Sequence, residues 1–515
     1  MHESLYASRL TFGRRFDDPA PIPAGGAAAW LAAQLSAPAS DTAGVNAVLA
    51  ASTVQYAGRN GAKTLLVTPA AYRMTTTQAQ TFWTANNATL DVPSAIWGEI
   101  RLVWMVRAVY STNQLFERMT DFWNDHFIMD MVQDKMVNIR RWFPAHDRII
   151  RNNALGNFGA LLLGVAQSPV MLKDLDLGVS SAPHPNENFA REVMELYTLG
   201  IAAYLGPTTP AGAAGTGYSD ADVTAAAAVL SGWTFDADGV FEFSPKAHLA
   251  KPAGALGQSF TGAGVTAGEQ LLAYLAAHPA TAQFIASKLY LRFVADAIPA
   301  GSTLLPAMAA TFAANVDASN QIAAVLSVMA THPEFLASAG AKLKTPRHLV
   351  VSALRASGAD FELVYATLGA ISQFGLEVYD YPVPAGPPTD AASYIDASAM
   401  LMRWAVGAQL LDPAGTITPR PGWPHDADRP DALDHALVDP ANGLPDDVPA
   451  QVAARLASAL LGPDASVASI AAVQAYAASS EGVTAGMLAK PDVKLRAALA
   501  RVAGAAIAMP EFQIC

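Results

Sequence analysis

The chain has 515 residues, 52% hydrophobic and only 15% charged, with a mean hydropathy of +0.23, which requires a large buried core and excludes a mostly disordered chain. A formal charge of −12 without a basic cluster excludes nucleic acid as a partner, since its phosphates need concentrated Lys and Arg. No apolar run reaches the roughly 18 residues of a membrane span, and the lone cysteine, Cys515, provides neither a disulfide framework nor a thiolate metal site.

Length allows three average domains, but one compact unit is equally compatible. The pattern divides into an N-terminal helical scaffold (1–110), a central motif-bearing region with an acidic helix and a hairpin (111–260), a helical region (261–378), Pro-rich connections around a helix (379–445) and C-terminal helices (446–515). The expected fold is mainly α, a large irregular multi-helix domain with a small β-hairpin insertion. The start Met-His-Glu-Ser-Leu has no basic region followed by an apolar one, which reads as cytoplasmic, or as periplasmic or secreted if a signal was removed.

In chain order, one of two readings of Arg9 ties the N-terminus to a surface carboxylate; the other rests on a motif resemblance given below. Ala27 to Leu35 and Thr75 to Asn86 read as helices, followed by an amphipathic helix over Ser94 to Val109. Arg107 lies on its apolar face, where it either reaches a buried carboxylate or, the preferred expectation at a helix end, lays its stem over the core with its head in water. Gln114 to Met131 is the next helix. His126 falls there with Met119, Phe122 and Trp123, away from Glu117, Asp121 and Asp125, so it points inward, either as a hydrogen-bonded core residue or as an acid–base partner. Trp123 is core or a platform for a sugar ring. Arg140, Arg141, Arg148 and Arg151 are expected to partner the acidic helix.

That helix, Asn186 to Gly200, reads as the element around which the chain is organised. Glu187, Asn188, Arg191, Glu192, Glu195 and Thr198 form one polar arc at the helical period, with Asn186 as N-cap and Gly200 at the C-terminal left-handed position. The arc is either a solvated face on which Arg191 bridges Glu187 and Glu195, or a cleft wall holding one carboxyl protonated and another ionised. Ser219 then caps a helix opened by Asp220 and Asp222. Trp233 ends that helix, Thr234 to Ser244 forms a hairpin turning at Asp236-Ala237-Asp238-Gly239, and His248 and Lys251 follow. The remainder is helical, including Ala282 to Val294, Leu304 to Ala314, Ile322 to Met329, Ala391 to Leu411 and Val493 to Met509.

Phe122-Trp123-Asn124-Asp125-His126-Phe127, Ala154-Leu155-Gly156-Asn157-Phe158, Asn186 to Gly200, Tyr218 to Asp222 and Leu230-Ser231-Gly232-Trp233-Thr234 resemble the bacterial domain of unknown function family 1800 (DUF1800). The likeness runs from Arg9-Leu10-Thr11-Phe12-Gly13 through Lys342-Leu343-Lys344-Thr345-Pro346 to Pro510-Glu511-Phe512. The resemblance implies no mechanism. Members are often exported and encoded beside sulfatase-like proteins, which implies a sulfatase-like partner. His248 and Lys251 resemble a family motif in which Leu249 here replaces the usual aspartate.

Several chemistries lack their parts: the Gly-rich phosphate loop, the Gly-x-Ser-x-Gly elbow, the His-Glu-x-x-His zinc helix and the paired Glu-x-x-His of di-metal proteins. The carboxylate cluster points first to a hydrolase acting on a glycan or glycoside. Glu192 or Glu195 would donate the proton, Glu187 would act as base or nucleophile, and Arg191 and His126 would set their ionisation. In a variant of this scheme Asp125 or Asp222 supplies the second carboxylate, and Trp123, Asp125, Asn186, Asn188, Asp222, Trp233, His248 and Lys251 would bind the small-molecule or glycan substrate. One alternative is a non-catalytic binding or assembly protein in which the arc is a structural ion-pair network. The other is a metal-dependent oxidoreductase using His126 and the glutamates. No cofactor is expected, with a single divalent metal left open.

Overall fold

The structure is a computed structural model and describes residues 3–15, 26–210, 217–249, 254–260, 264–358, 371–411, 448–462, 465–488 and 493–515. Helices make up most of it, and the sheets are small, so the fold is mainly α. The expected hairpin pairs Trp233–Phe235 with Phe241–Phe243. Two further two-stranded antiparallel sheets pair Val54–Tyr56 with Leu65–Val67 and Gly254–Ala255 with Gln258–Ser259. Strands of two or three residues are too short for alternation to register in a sequence.

The element at the centre is the Gln114–His126 helix rather than the acidic one. All of its residues are buried, including Glu117, Arg118, Asp121, Asn124 and Asp125. A helix buried all round is ordinarily apolar, so its charges must find partners on neighbouring elements. The preceding helix, Val92–Tyr110, is also largely buried and packs against it. The Gln114 side chain ties the two, donating to the Ala108 and Ser111 carbonyls and accepting the Phe12 N–H at 3.0 Å.

Around this pair, one continuous hydrophobic cluster runs from Leu5 to Phe512. Both ends of the described chain join it. Arg9 is buried and donates to the carbonyls of Phe293, Val294 and Ser338, which corrects its assignment to a surface carboxylate. The end of the Pro279–Phe293 helix has carbonyls without intrahelical partners, and the guanidinium satisfies them. Near the C-terminus, Lys344 N–H donates to Gln513 and Cys515 N–H donates to Lys342. Among the described residues no helix is long and apolar enough to cross a membrane.

Candidate functional site

The acidic segment winds as an α-helix over Asn188–Glu192 and continues as a π-helix over Val193–Tyr197. The N-cap position is taken by Glu187, which makes no side-chain cap bond, and this corrects the assignment to Asn186; Asn186 Oδ1 instead accepts the Asn188 N–H at 2.8 Å from one residue further out. Asn188 itself is exposed. Gly200 closes the segment at φ +84°, where an added Cβ would lie 2.6 Å from the Phe284 ring, so both backbone sign and space require glycine.

Arg191 bridges Glu187 at 3.5 Å and Asp220 of the adjacent Asp220–Leu230 helix at 3.0 Å, with no ion pair to Glu195. Thr224 Oγ1 donates to Glu187 at 2.7 Å and the Tyr204 hydroxyl donates to Asp220 at 3.1 Å. These side chains are 36 to 40% exposed, which places the network at the surface. Glu192 is half-buried; burial and then the charge of Glu195 push its carboxyl up.

His126 does meet this segment, but from behind. Its Nε2 lies 3.0 Å from the Tyr197 carbonyl, an acceptor at the end of the π-turn, and its ring is enclosed by Phe122, Trp123, Phe127, Phe158, Tyr197 and Phe284. Burial drives its pKa well below the usual value, so it is neutral and donates from Nε2, while Nδ1 has no partner. Its contact is with backbone, not with Glu187, Glu192 or Glu195.

The aromatic platforms are core. Trp123 is fully buried, with Nε1 donating to Ala154 at 2.9 Å, and Trp233 is fully buried against Phe241 and Gly268. Neither has a solvent-facing ring on which a sugar can lie. Asp222 is also spent on structure: one oxygen accepts from the Ser219 N–H and hydroxyl, the other from the Leu256 N–H at 2.6 Å. His248 Nδ1 donates to the Ser231 carbonyl at 2.9 Å, and Lys251 lies outside the described residues. The arginines assigned to the acidic helix go elsewhere. Arg140 binds the Met131 carbonyl, Arg141 binds Gln80 and the Asn138 carbonyl, Arg148 binds the Arg73 and Met74 carbonyls, and Arg151 binds Glu117.

The strongest electrostatics flank the Gln114–His126 helix. On one side Asp121 and Asp125, one turn apart, share two arginines. Arg292 reaches Asp121 and, at 3.3 Å, Asp125, while Arg347 reaches Asp121 at 2.9 Å and also Asp125. Trp104 Nε1 adds a bond to Asp121 at 3.2 Å. Burial raises both carboxyls. In Asp121 the two arginines outweigh it and the pKa falls, whereas in Asp125 burial and the Asp121 charge prevail. Asp125 therefore belongs to a closed four-charge cluster rather than to a substrate site.

On the other side Arg151 holds Glu117 through two bonds of 2.8 and 3.1 Å. Arg107 binds Asp41 at 2.7 Å and Asp147 at 3.2 Å, so of its two expected placements it takes the buried carboxylates, and the preferred one, a head in water, is corrected. Asp147 also accepts from the Tyr379 hydroxyl at 3.2 Å. For Asp41 burial acts upward, but the charge and hydrogen bonds of Arg107 carry its pKa below the usual value.

This second network opens into a cavity of about 400 Å³ lined by Asp41, Tyr72, Arg107, Asp147, Arg148 and Arg151, with Arg73 and Asn46 at its wall. Arg73 donates to Asn46 at 2.8 Å. The four arginines face two aspartates, and Glu117 behind the wall takes up one more charge, so one positive charge stands in excess. Tyr72 is 7% exposed and its hydroxyl has no hydrogen-bond partner, nor has Arg151 Nε. Behind Tyr72 lies Glu99, fully buried, accepting the Tyr72 N–H at 2.9 Å and facing the Tyr56 hydroxyl at 3.4 Å; burial pushes its carboxyl up to about 7.

Of these cavity residues only Arg107, Arg148 and Arg151 stand out in the sequence, because Asp41, Tyr72 and Asp147 come from separate stretches and carry no motif. Among the described residues no three His, Cys, Asp or Glu side chains are grouped to hold a metal ion. Comparison with curated proteins gave no match, and neither did comparison with solved structures. The family described as protein of unknown function (DUF1800) matches residues 6–514, nearly the whole chain, and the chain belongs to that family.

Proposed function

We propose that this is a non-catalytic binding protein, a helical body locked by buried ion pairs that takes a small anionic ligand in the arginine-lined cavity. The observation that carries this reading is the pair of unspent donors, the Tyr72 hydroxyl and Arg151 Nε, at the wall of a cavity with one positive charge in excess. A buried donor without a partner costs about 1–3 kcal/mol, and an anion would satisfy both donors and the surplus charge. The cavity lies within the roughly 300–1,000 Å³ range of small-molecule sites.

Calorimetric titration at low ionic strength with phosphate, citrate and glucuronate tests it. At least one anion is expected to bind saturably, and Tyr72→Phe is expected to weaken it by about tenfold, the loss of one good hydrogen bond. Absence of saturable binding by all three, or equal affinity in Tyr72→Phe, refutes the reading.

A second reading, a carboxylate hydrolase acting on a glycan or glycoside, is favoured by one observation: Glu192, raised by burial and by Glu195, is suited to hold a proton beside a second carboxylate. A glycan panel tests it. Hydrolysis lost in Glu192→Gln supports it, and absence of hydrolysis across the panel counts against it.

A further inference from the structure

A second cavity lies on another part of the molecule and carries different chemistry. It encloses about 420 Å³, and its apolar wall comes from three distant stretches: Leu5 and Ala7, Leu460 and Leu461, and Phe512. Lys344, in the Lys342-Leu343-Lys344-Thr345-Pro346 run, stands in this wall. It is 6% exposed, and its Nζ sits 4.2 Å above the Phe512 ring with no carboxylate within ion-pair distance among the described residues.

Two further unmatched groups lie behind it. Arg118 is 3% exposed, its guanidinium 5.0 Å from the Phe12 ring centre and 5.6 Å from that of Phe293, and its Nε has no hydrogen-bond partner. His348 packs edge-on against the same Phe12 at 6.1 Å, and its Nε2 is likewise unpartnered. The three are close enough to repel one another. Burial lowers Lys344 to about 8, with Cys515 acting upward and Arg403 and Arg118 downward; burial and then Arg292 lower Arg118 to about 9 against Asp121, Cys515 and Asp125; and burial with the cations around it, Arg118 and Lys344 among them, drives His348 well below its usual value.

The contrast with Arg292 and Arg347 is informative. Each of those buried arginines holds two carboxylates. Neither Lys344 nor Arg118 has a carboxylate in direct ion-pair contact among the described residues, although Cys515 attracts both from further away and Asp121 and Asp125 attract Arg118; a buried cation without a contact partner carries a penalty of several kcal/mol. An anion seated at Lys344 would offset that penalty.

We propose that the cleft between Leu5, Leu460, Phe512 and Lys344 binds an aliphatic monocarboxylate, with the carboxylate on Lys344 and the chain along the apolar wall. A single lysine matches a single negative charge, and the apolar wall matches an alkyl body. The lining also holds Arg14, Glu511 and Cys515, the last of which attracts Lys344. Glu511, which holds the Ser466 and Ser469 hydroxyls, would repel a second negative charge, so the site disfavours a phosphate dianion.

The test compares decanoate, decanol and decylamine by calorimetry and thermal shift. Decanoate is expected to bind saturably and raise the melting temperature, and decanol and decylamine are expected to bind at least about tenfold more weakly. Lys344→Met, which keeps the stem and removes the charge, is expected to bring decanoate down to the affinity of decanol. Equal binding of decanoate and decanol by the parent, no binding of either, or undiminished decanoate binding by Lys344→Met overturns the proposal. Should that variant fail to fold, the parent decides alone. Lys344 is faced by Arg118 from the Gln114–His126 helix, by His348 on the Pro346–Ser357 helix, by Arg403 from the Ala397–Leu411 helix and by Cys515. It is the group expected to titrate at about 8, so decanoate affinity should fall as pH rises through that value, and an affinity constant from neutral pH to well above it overturns the proposal.

Discussion

Glu99→Gln isolates one buried carboxyl and tests how the Tyr72 side of the cavity is held. Burial raises the Glu99 pKa from 4.5 to about 7, against the downward pull of the backbone N–H groups of residues 70 to 72. That displacement corresponds to about 3 kcal/mol at about 1.4 kcal/mol per pH unit. The folded state holds the proton more tightly than the unfolded one. The protonated carboxyl is therefore fully compatible with folding below about pH 4.5, and stability is lost progressively as pH rises from there to about 7. Glutamine keeps an oxygen to accept the Tyr72 N–H and cannot ionise. The variant is expected to match the parent near about pH 5 and to exceed it by about 2–3 kcal/mol near about pH 8. Urea unfolding midpoints of both proteins across that interval measure the difference, provided the slopes agree. Parallel pH profiles for parent and variant would refute the reasoning, because they would mean that Glu99 ionises alike in folded and unfolded chains.

Other substitutions separate the buried clusters from the surface arc. Arg347→Met removes one of the two cations shared by Asp121 and Asp125 and is expected to cost about 3–5 kcal/mol in urea unfolding, with much of the loss recovered when Asp125→Asn is added. Glu187→Gln, at a half-exposed pair, is expected to change stability by less than about 1 kcal/mol, and a larger loss would mean that the arc is a structural lock. Gly268→Ala places a methyl 2.4 Å from the Trp233 ring and is expected to cost about 1–3 kcal/mol through overpacking, read as a lowered melting temperature.

How far the sequence reveals this molecule depends on the range of the interaction. Features set by neighbours along the chain are legible: the helical class, the Ser219 cap and its reciprocal bond from Asp222, the Gly200 terminus, the Asp236 to Gly239 turn and the inward direction of His126 all follow from local spacing. Charge pairing is not local. Helical periodicity sorts Asp121 and Asp125 onto a polar face, and a polar face is ordinarily a wet one. Here it is dry because Arg292 and Arg347, 171 and 222 residues away along the chain from Asp121 and Asp125 respectively, arrive to neutralise it. The same logic inverts the acidic helix. Its density of carboxylates draws the eye, yet the pairing of Arg191 with Glu187 and Asp220 is a half-exposed surface arrangement, whereas the carboxylates that matter most to the fold sit singly spaced on a helix that looks amphipathic and is buried on every side. Composition carries the one general hint. With only 15% of residues charged, few charges remain for solvent once a core this large is assembled, and those kept inside must be matched with one another or with a ligand. The places where the chain fails to match them, beside Tyr72 and beside Lys344, are therefore where a bound molecule would do the matching.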